Sequence, residues 1–440
     1  MRPAPRVHAG GARDAPSPPD AAGPAQHRRV APGLRRLGPL LSTAPEYADI
    51  VRVLQVLDGV PSPYGHEAAA AVRLASWCTA RWPWLDWDVQ RYGKGGANLQ
   101  AGDPRGVLLY SHLDTSLSGD PSEDRPITAR ADAPPPLKVT ASEAEGFGLG
   151  VARAPAAAAL IGFVSAASRG IPARLLLAGS GTHRSTLHGP GGRPRRTGLD
   201  HYLATAPRPP AAIVAKGGPP TILWEEPGAL YLRLRVAGRH GAVLARESAD
   251  PPGGVIAHAA PVIEAVERWR AAYVAAGQAP GTQVGAAAGI GSLTAGRPDK
   301  PDLFPALLEA GIYVVTVPGA DPQAIADALR HDVETACANG PLATCTVEVD
   351  VDEIHPAAAT AADAPIVRAA RAAWQTEFGA SPPPITGWTG STDGVVLRAH
   401  GIDTVRLGPA SRPSPEDPRC DVLDVASLAA YARLYARLLS

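Results

Sequence analysis

The stretch VLLYSHLDTSLSGD, Val107 to Asp120, decides how the rest of the chain is read. Its apolar start, Val107 to Tyr110, has the length and continuity of a buried strand. The strand runs into an imidazole, His112, and a carboxylate two residues on, Asp114. Side chains alternate along a strand, so the two point the same way. That geometry suits a histidine whose ring is oriented by the acid behind it, either as a metal ligand or as a proton donor or acceptor. It equally suits a hydrogen bond that merely closes a strand end.

Working outward, RLLLAGSG (Arg174 to Gly181) and AAIVAKGG (Ala211 to Gly218) repeat the pattern of an apolar strand ending in a glycine-rich loop. Helical spacing follows at Tyr47, Ile50, Val51, Leu54 and Leu57, and an Ala-rich helix follows the turn PSPYGHE, Pro61 to Glu67. Strands alternating with helices imply an α/β layer structure with its site at the carboxyl ends of the strands. His112, Gly181 and Lys216 all fall there.

The pattern changes near Thr221. ALYLRLRVAG, Ala229 to Gly238, alternates apolar and polar residues as a half-exposed antiparallel strand does. Further strands are predicted at Gly311 to Val317 and Thr344 to Val351, with a helix over Pro322 to Ala336 between them. The chain then returns to helix at Pro365 to Phe378, to strand at Thr404 to Gly408, and closes on a helix over Val425 to Leu439. The expected fold class is α/β, a mostly parallel-sheet domain built from 45–220 and 355–440. An α+β unit is inserted at 221–354. Residues 1–44, rich in Pro, Gly, Ala and Arg, read as a disordered tail.

With 440 residues and 45% hydrophobic content the chain can bury a sizeable core. The formal net charge is zero, so nothing global favours nucleic acid or an anionic membrane. No apolar run is read as reaching the roughly 18 residues of a membrane span. The 4 cysteines, Cys78, Cys337, Cys345 and Cys420, lack CxxC spacing, which fits a reducing, cytoplasmic setting.

Four blocks in order resemble the M20 family of zinc peptidases and deacylases: PSPYGHE, SHLDT, GFGLGVARAPAAAAL (Gly146 to Leu160) and GSTDGVVLRAHGIDTVRLGP (Gly390 to Pro409). The resemblance runs from about Pro45 to Ser440. It implies a hydrolase acting on amide or peptide bonds, with 221–354 as a lid that also dimerises. It also implies two zinc ions. Of the positions that would hold them, His112 is kept and Asp114 stands behind it, but the bridging acid falls on Val151. The general-base and ligand pair falls on Gly181 and Thr182, a later acid on Lys216, and the C-terminal histidine near Asp417. Two dications need several anionic or imidazole ligands, and these positions do not offer them.

The expectation is therefore a degenerate metal site with no cofactor, zinc entering only if the family mechanism is retained. His112, Asp114, Lys216 and Asp393 are the candidate catalytic residues; Arg153, His183 and Arg184 are candidate ligand-binding residues. Lys216 is expected to take the place of metal charge, pairing with Asp114 or Asp417 when no ligand is bound. Ser391 near His112 is considered as a nucleophile, and Glu225 and Glu226 as a replacement base, with a turn as the plainer reading of both acids. Three functions stay open: a metal-independent hydrolase of a small amide or carboxylate, a noncatalytic binding protein using the old cleft, or an ordinary zinc amidohydrolase whose ligands lie elsewhere. The expected partners are a small anionic or amide-containing molecule and a second copy through the lid, with no nucleic acid and no membrane.

Overall fold

In a computed structural model the described residues are 45–187, 196–243, 254–278 and 281–440. The expected disordered tail, 1–44, lies outside them. The main sheet has six strands in the order Trp87–Tyr92, Gly96–Gly102, Ala173–Ala178, Val107–His112, Ala212–Ala215 and Thr404–Leu407. The last four run parallel to one another, and the first two add an antiparallel margin. Ala173–Ala178 and Ala212–Ala215 are buried at every position. Strands covered on both faces are dominated by apolar residues and show no alternation, and the one charged residue here, Arg174, is buried with its guanidinium donating to the Pro207 carbonyl. The fold class is α/β with a mostly parallel central sheet, as the sequence pattern indicated.

One covering helix, Ala154–Ala167, is buried along nearly its whole length and packs against Val425–Leu438. The approach is close enough that a Cβ on Gly162 would lie 2.6 Å from the Ala432 carbonyl oxygen. The stretch Leu149–Ala167 runs 19 residues and is apolar enough by composition to cross a membrane, but 89% of its apolar window is buried inside the protein. The sequence reading missed this run because Arg153 interrupts it.

The chain leaves the main sheet after Ala212–Ala215 and rejoins it at Thr404–Leu407. Between them lies an antiparallel sheet of four strands, ordered Ala287–Ala295, Leu307–Thr316, Gly228–Ala237 and Thr346–His355. Two helices, Ala259–Ala276 and Pro322–Cys337, join its apolar face in a separate hydrophobic cluster. The half-exposed strand read at Ala229 to Gly238 is not an edge. It pairs on one side with Leu307–Thr316 and on the other with Thr346–His355, so its backbone groups are already used. Its alternation reflects a face, not an edge: Tyr231, Arg233 and Arg235 lie on the side away from the helices. There Arg233 pairs with Asp350 at 2.7 Å and Arg235 with Glu348 at 2.9 Å.

Candidate functional site

His112 ends its strand buried, and its Nδ1 lies 3.1 Å from Asp114 Oδ1. The loop that follows Ala173–Ala178 closes over the acid. The Gly181 amide donates to Asp114 Oδ1 at 2.8 Å, and the Thr182 amide and hydroxyl donate to Oδ2 at 2.7 and 2.5 Å. Burial pushes the Asp114 carboxyl up, but these bonds and the imidazole outweigh it and hold it at about 2. His112 is pushed below its ordinary value, first by burial and then by the nearby Lys216 charge. A neutral ring bonded through Nδ1–H to a carboxylate presents a bare Nε2. That Nε2 is buried and has no hydrogen-bond partner among the described residues.

Lys216 follows Ala212–Ala215 at its carboxyl end and is partly covered. Among the described residues its ammonium makes no hydrogen bond or ion pair. Burial and the Arg406 charge bring its ammonium down to about 8, against the pull of Asp393, Asp114 and Glu226. Asp393 precedes the short helix Gly394–Ala399 but makes no capping bond to it. Its carboxylate turns inward and accepts the Tyr110 hydroxyl. Burial raises Asp393 to about 7, with the Tyr110 bond and the Lys216 charge opposing. A carbon at the missing Cβ of Gly181 would sit 2.8 Å from His112 Cβ and 3.1 Å from Asp393 Oδ2, so both side chains border one small space. The structure thus brings His112, Asp114, Lys216 and Asp393 into one neighbourhood.

Other expectations are corrected. Lys216 pairs with neither Asp114, whose oxygens the loop has taken, nor Asp417, which is held by Arg419 at 2.7 Å and Arg130 at 3.4 Å. Arg153 does not line an anion cleft. It is buried, and its guanidinium donates to the carbonyls of Val60 at 2.8 Å and Phe147 at 3.3 Å. The π-helical turn Leu149–Arg153 turns Val151 outward instead, 38% exposed. Arg184 lies over the Tyr64 ring at 5.6 Å. His183 faces the second sheet: its Nε2 is 3.1 Å from His355 Nε2, and its Nδ1 is 3.3 Å from the Tyr313 hydroxyl. Ser391 donates to the Pro227 carbonyl and lies 3.3 Å from His355 Nε2, so it belongs to that second group rather than to His112.

The acids at 225 and 226 are structural. Glu226 is fully buried between Arg398 at 2.6 Å and Arg406 at 3.6 Å, and Glu225 accepts the Gln283 amide at 2.7 Å.

Tyr110, His355 and Glu67 escaped the sequence reading. Tyr110 had a signal: it sits two residues before His112 and so shares its strand face. His355 had none, because its partner is 172 positions away.

A two-metal centre does not fit the donors present. Among the described residues the open nitrogen at the strand end is His112 Nε2, the Asp114 and Asp417 carboxylates are occupied, and Lys216 would place a cation against the metal. Among the described residues no group of three or more His, Cys, Asp or Glu could hold a metal ion.

A mostly parallel sheet with a second antiparallel sheet inserted before its last strand is an architecture shared with solved peptidases. Human carnosine dipeptidase 1 superposes with a TM-score of 0.60 at 12% identity, covering 92% of this chain and 98% of that one. Aminopeptidase PepT from Bacillus cereus gives 0.55 at 15% identity, with coverage of 89% and 98%. The Bacillus subtilis YXEP protein, described as a dinuclear metal binding peptidase, gives 0.53 at 13%, with coverage of 90% and 97%. At these identities the likeness shows the fold. No curated protein matches the sequence. The profile of peptidase family M20/M25/M40 matches residues 218–440, and the chain belongs to that family.

Proposed function

We propose that this family member acts on a small amide that carries a carboxylate, without the two-zinc mechanism. Lys216 supplies the positive charge and His112 the base. The observation that carries this reading is the buried Nε2 of His112, without a partner among the described residues, in the field of the Lys216 ammonium. In the proposed step a water adds to the amide carbonyl and gives a proton to His112 Nε2. Lys216 donates a hydrogen bond to the oxygen that becomes negative. The carbon–nitrogen bond then breaks, and the amine leaves with the proton held by His112. Asp114 keeps Nδ1 protonated throughout.

A second reading, ligand binding without turnover, is favoured by one observation. The loop positions where the resemblance puts an acidic pair carry Gly181 and Thr182, whose amides are turned inward to Asp114.

Calorimetric titration and hydrolysis assays with N-acyl amino acids and dipeptides, each with and without a chelator, separate the possibilities. Turnover insensitive to chelation and lost in Lys216→Met and His112→Asn supports the proposal. Binding without turnover supports the second reading. Activity that a chelator removes and zinc restores overturns both.

The homodimer expected from the resemblance is proposed at Ala287–Ala295, one of the two outer strands of the second sheet, where Leu293 is 48% exposed. Sedimentation showing only monomer at high concentration removes it. The 4 free cysteines support a reducing, cytoplasmic location for the described fold.

A further inference from the structure

Glu67 stands at the N-terminal boundary of the helix Ala68–Arg81, but its side chain makes no capping bond to that helix. It is fully buried, and Oε1 accepts the Gly65 amide at 2.6 Å and the Ser180 amide at 2.9 Å. Oε2 has no partner among the described residues. Ser180 belongs to the loop that closes over Asp114. Three successive amides of this loop therefore point at two carboxylates from other segments: Ser180 at Glu67, then Gly181 and Thr182 at Asp114. Successive N–H groups gathered on anions in this way form a nest.

The loop pays a conformational cost to do this. Ser180 has φ 56°, a left-handed conformation uncommon for a residue with a side chain. The Tyr92 hydroxyl donates to Ser180 Oγ at 3.2 Å and helps to hold it. A Cβ on Gly179 would lie 2.5 Å from the Tyr92 hydroxyl and 2.6 Å from Glu67 Oε2, so any larger residue there would displace one of these two groups. On its other side the loop backbone lies against His112, because a Cβ on Gly181 would meet His112 Cβ at 2.8 Å. A chain of contacts thus runs from Glu67 to Ser180, through the loop amides to Asp114, and on to the imidazole.

We propose that Glu67 is a positioning residue: through Ser180 it fixes the loop Ser180–Thr182, and through Asp114 that loop sets the tautomer and burial of His112. The role rests on His112 being the working base, but it is read in the resting protein. Burial and the Asp114 charge raise the Glu67 carboxyl to about 7, so the acid can hold the Ser180 amide without placing a second full charge beside Asp114.

The test follows the His112 ring by nitrogen–proton NMR across pH, with His112→Asn identifying its signals. In Glu67→Ala the Ser180 amide loses its acceptor, water reaches the loop, and the His112 midpoint is expected to rise by about one pH unit toward the ordinary value while the Nδ1–H tautomer loses dominance. Glu67→Gln keeps an acceptor for Ser180 and is expected to restore both signals. If Glu67→Ala does not fold, Glu67→Asp keeps a carboxyl but withdraws it from Ser180, and it is expected to move His112 in the same direction. A folded Glu67→Ala or Glu67→Asp protein with the wild-type His112 midpoint and tautomer overturns the proposal, even if its melting temperature falls. These readouts need no substrate, so failure to find a hydrolysed amide leaves them intact.

Discussion

His112 Nδ1 lies 3.1 Å from Asp114 Oδ1, and both side chains are buried, so the pair must be satisfied by the protein itself. Asp114 meets that need through the loop amides as well as the imidazole. Asp114→Ala leaves the Gly181 and Thr182 amides without acceptors, at about 1–3 kcal/mol for each buried group. Chemical denaturation is expected to show a loss of about 3 kcal/mol or more. The pH dependence has a definite sign. The folded-state value of Asp114, about 2, is below its ordinary 3.8, so its stabilisation is present above about pH 4 and is lost as pH falls toward 2. Wild-type stability should fall more steeply across that window than the stability of Asp114→Ala.

Lys216→Met separates stability from function. Among the described residues the ammonium has no hydrogen bond or ion pair, and the pull of Asp393, Asp114 and Glu226 only partly offsets its loss of solvent. Methionine keeps the length and removes the charge, so stability at pH 7 is expected to rise, on the order of 1–2 kcal/mol. Affinity for a small carboxylate is expected to fall at least tenfold in the same protein. A variant that lost both stability and binding would show Lys216 to be structural.

Anion binding should weaken as pH rises from 6 to 9. Two groups act in the same direction. Asp393, raised to about 7, becomes an internal anion that competes for Lys216, and Lys216, lowered to about 8, then loses its proton. Calorimetry at fixed ionic strength with an N-acyl amino acid checks this. Affinity that is flat over the range would remove Lys216 from the binding site.

Much of the fold was legible because burial writes itself into local sequence. Val107–Tyr110, Leu175–Ala178 and Ala212–Ala215 are apolar runs, and the glycine-rich loops after the last two mark strand ends that hold the site. The margin Trp87–Tyr92 and Gly96–Gly102 was not legible, since the first strand is mixed and partly exposed and the second, though mostly buried, mixes Gly, Asn and Gln with its apolar residues. The half-exposed antiparallel strand at Ala229 to Gly238 was legible from its alternation, but its central place in the sheet was not, because alternation reports a half-buried face and is silent about lateral neighbours. At the site, His112 with Asp114 was readable from strand period alone. The inward turn of Arg153 was not, because a π-helical turn shifts which residue faces the core.

Glu226 offers a test that links the buried ion pairs to the cleft. Its carboxylate is fully buried, bridges Arg398 and Arg406, and accepts the Thr392 hydroxyl. Glu226→Gln leaves two buried guanidinium groups without their counter-charge, a change that costs about 3–5 kcal/mol when one partner of a buried pair is removed. The midpoint of denaturation should fall accordingly. A second effect is expected at a distance. The Glu226 charge helps to keep Lys216 protonated, whereas the Arg406 charge opposes it. Removing Glu226 tips that balance, so the pH at which anion affinity is lost should move below the wild-type value. Measuring both on one folded variant is decisive. A large stability loss with an unshifted binding profile would show that Lys216 is electrostatically isolated from the Arg398–Glu226–Arg406 group.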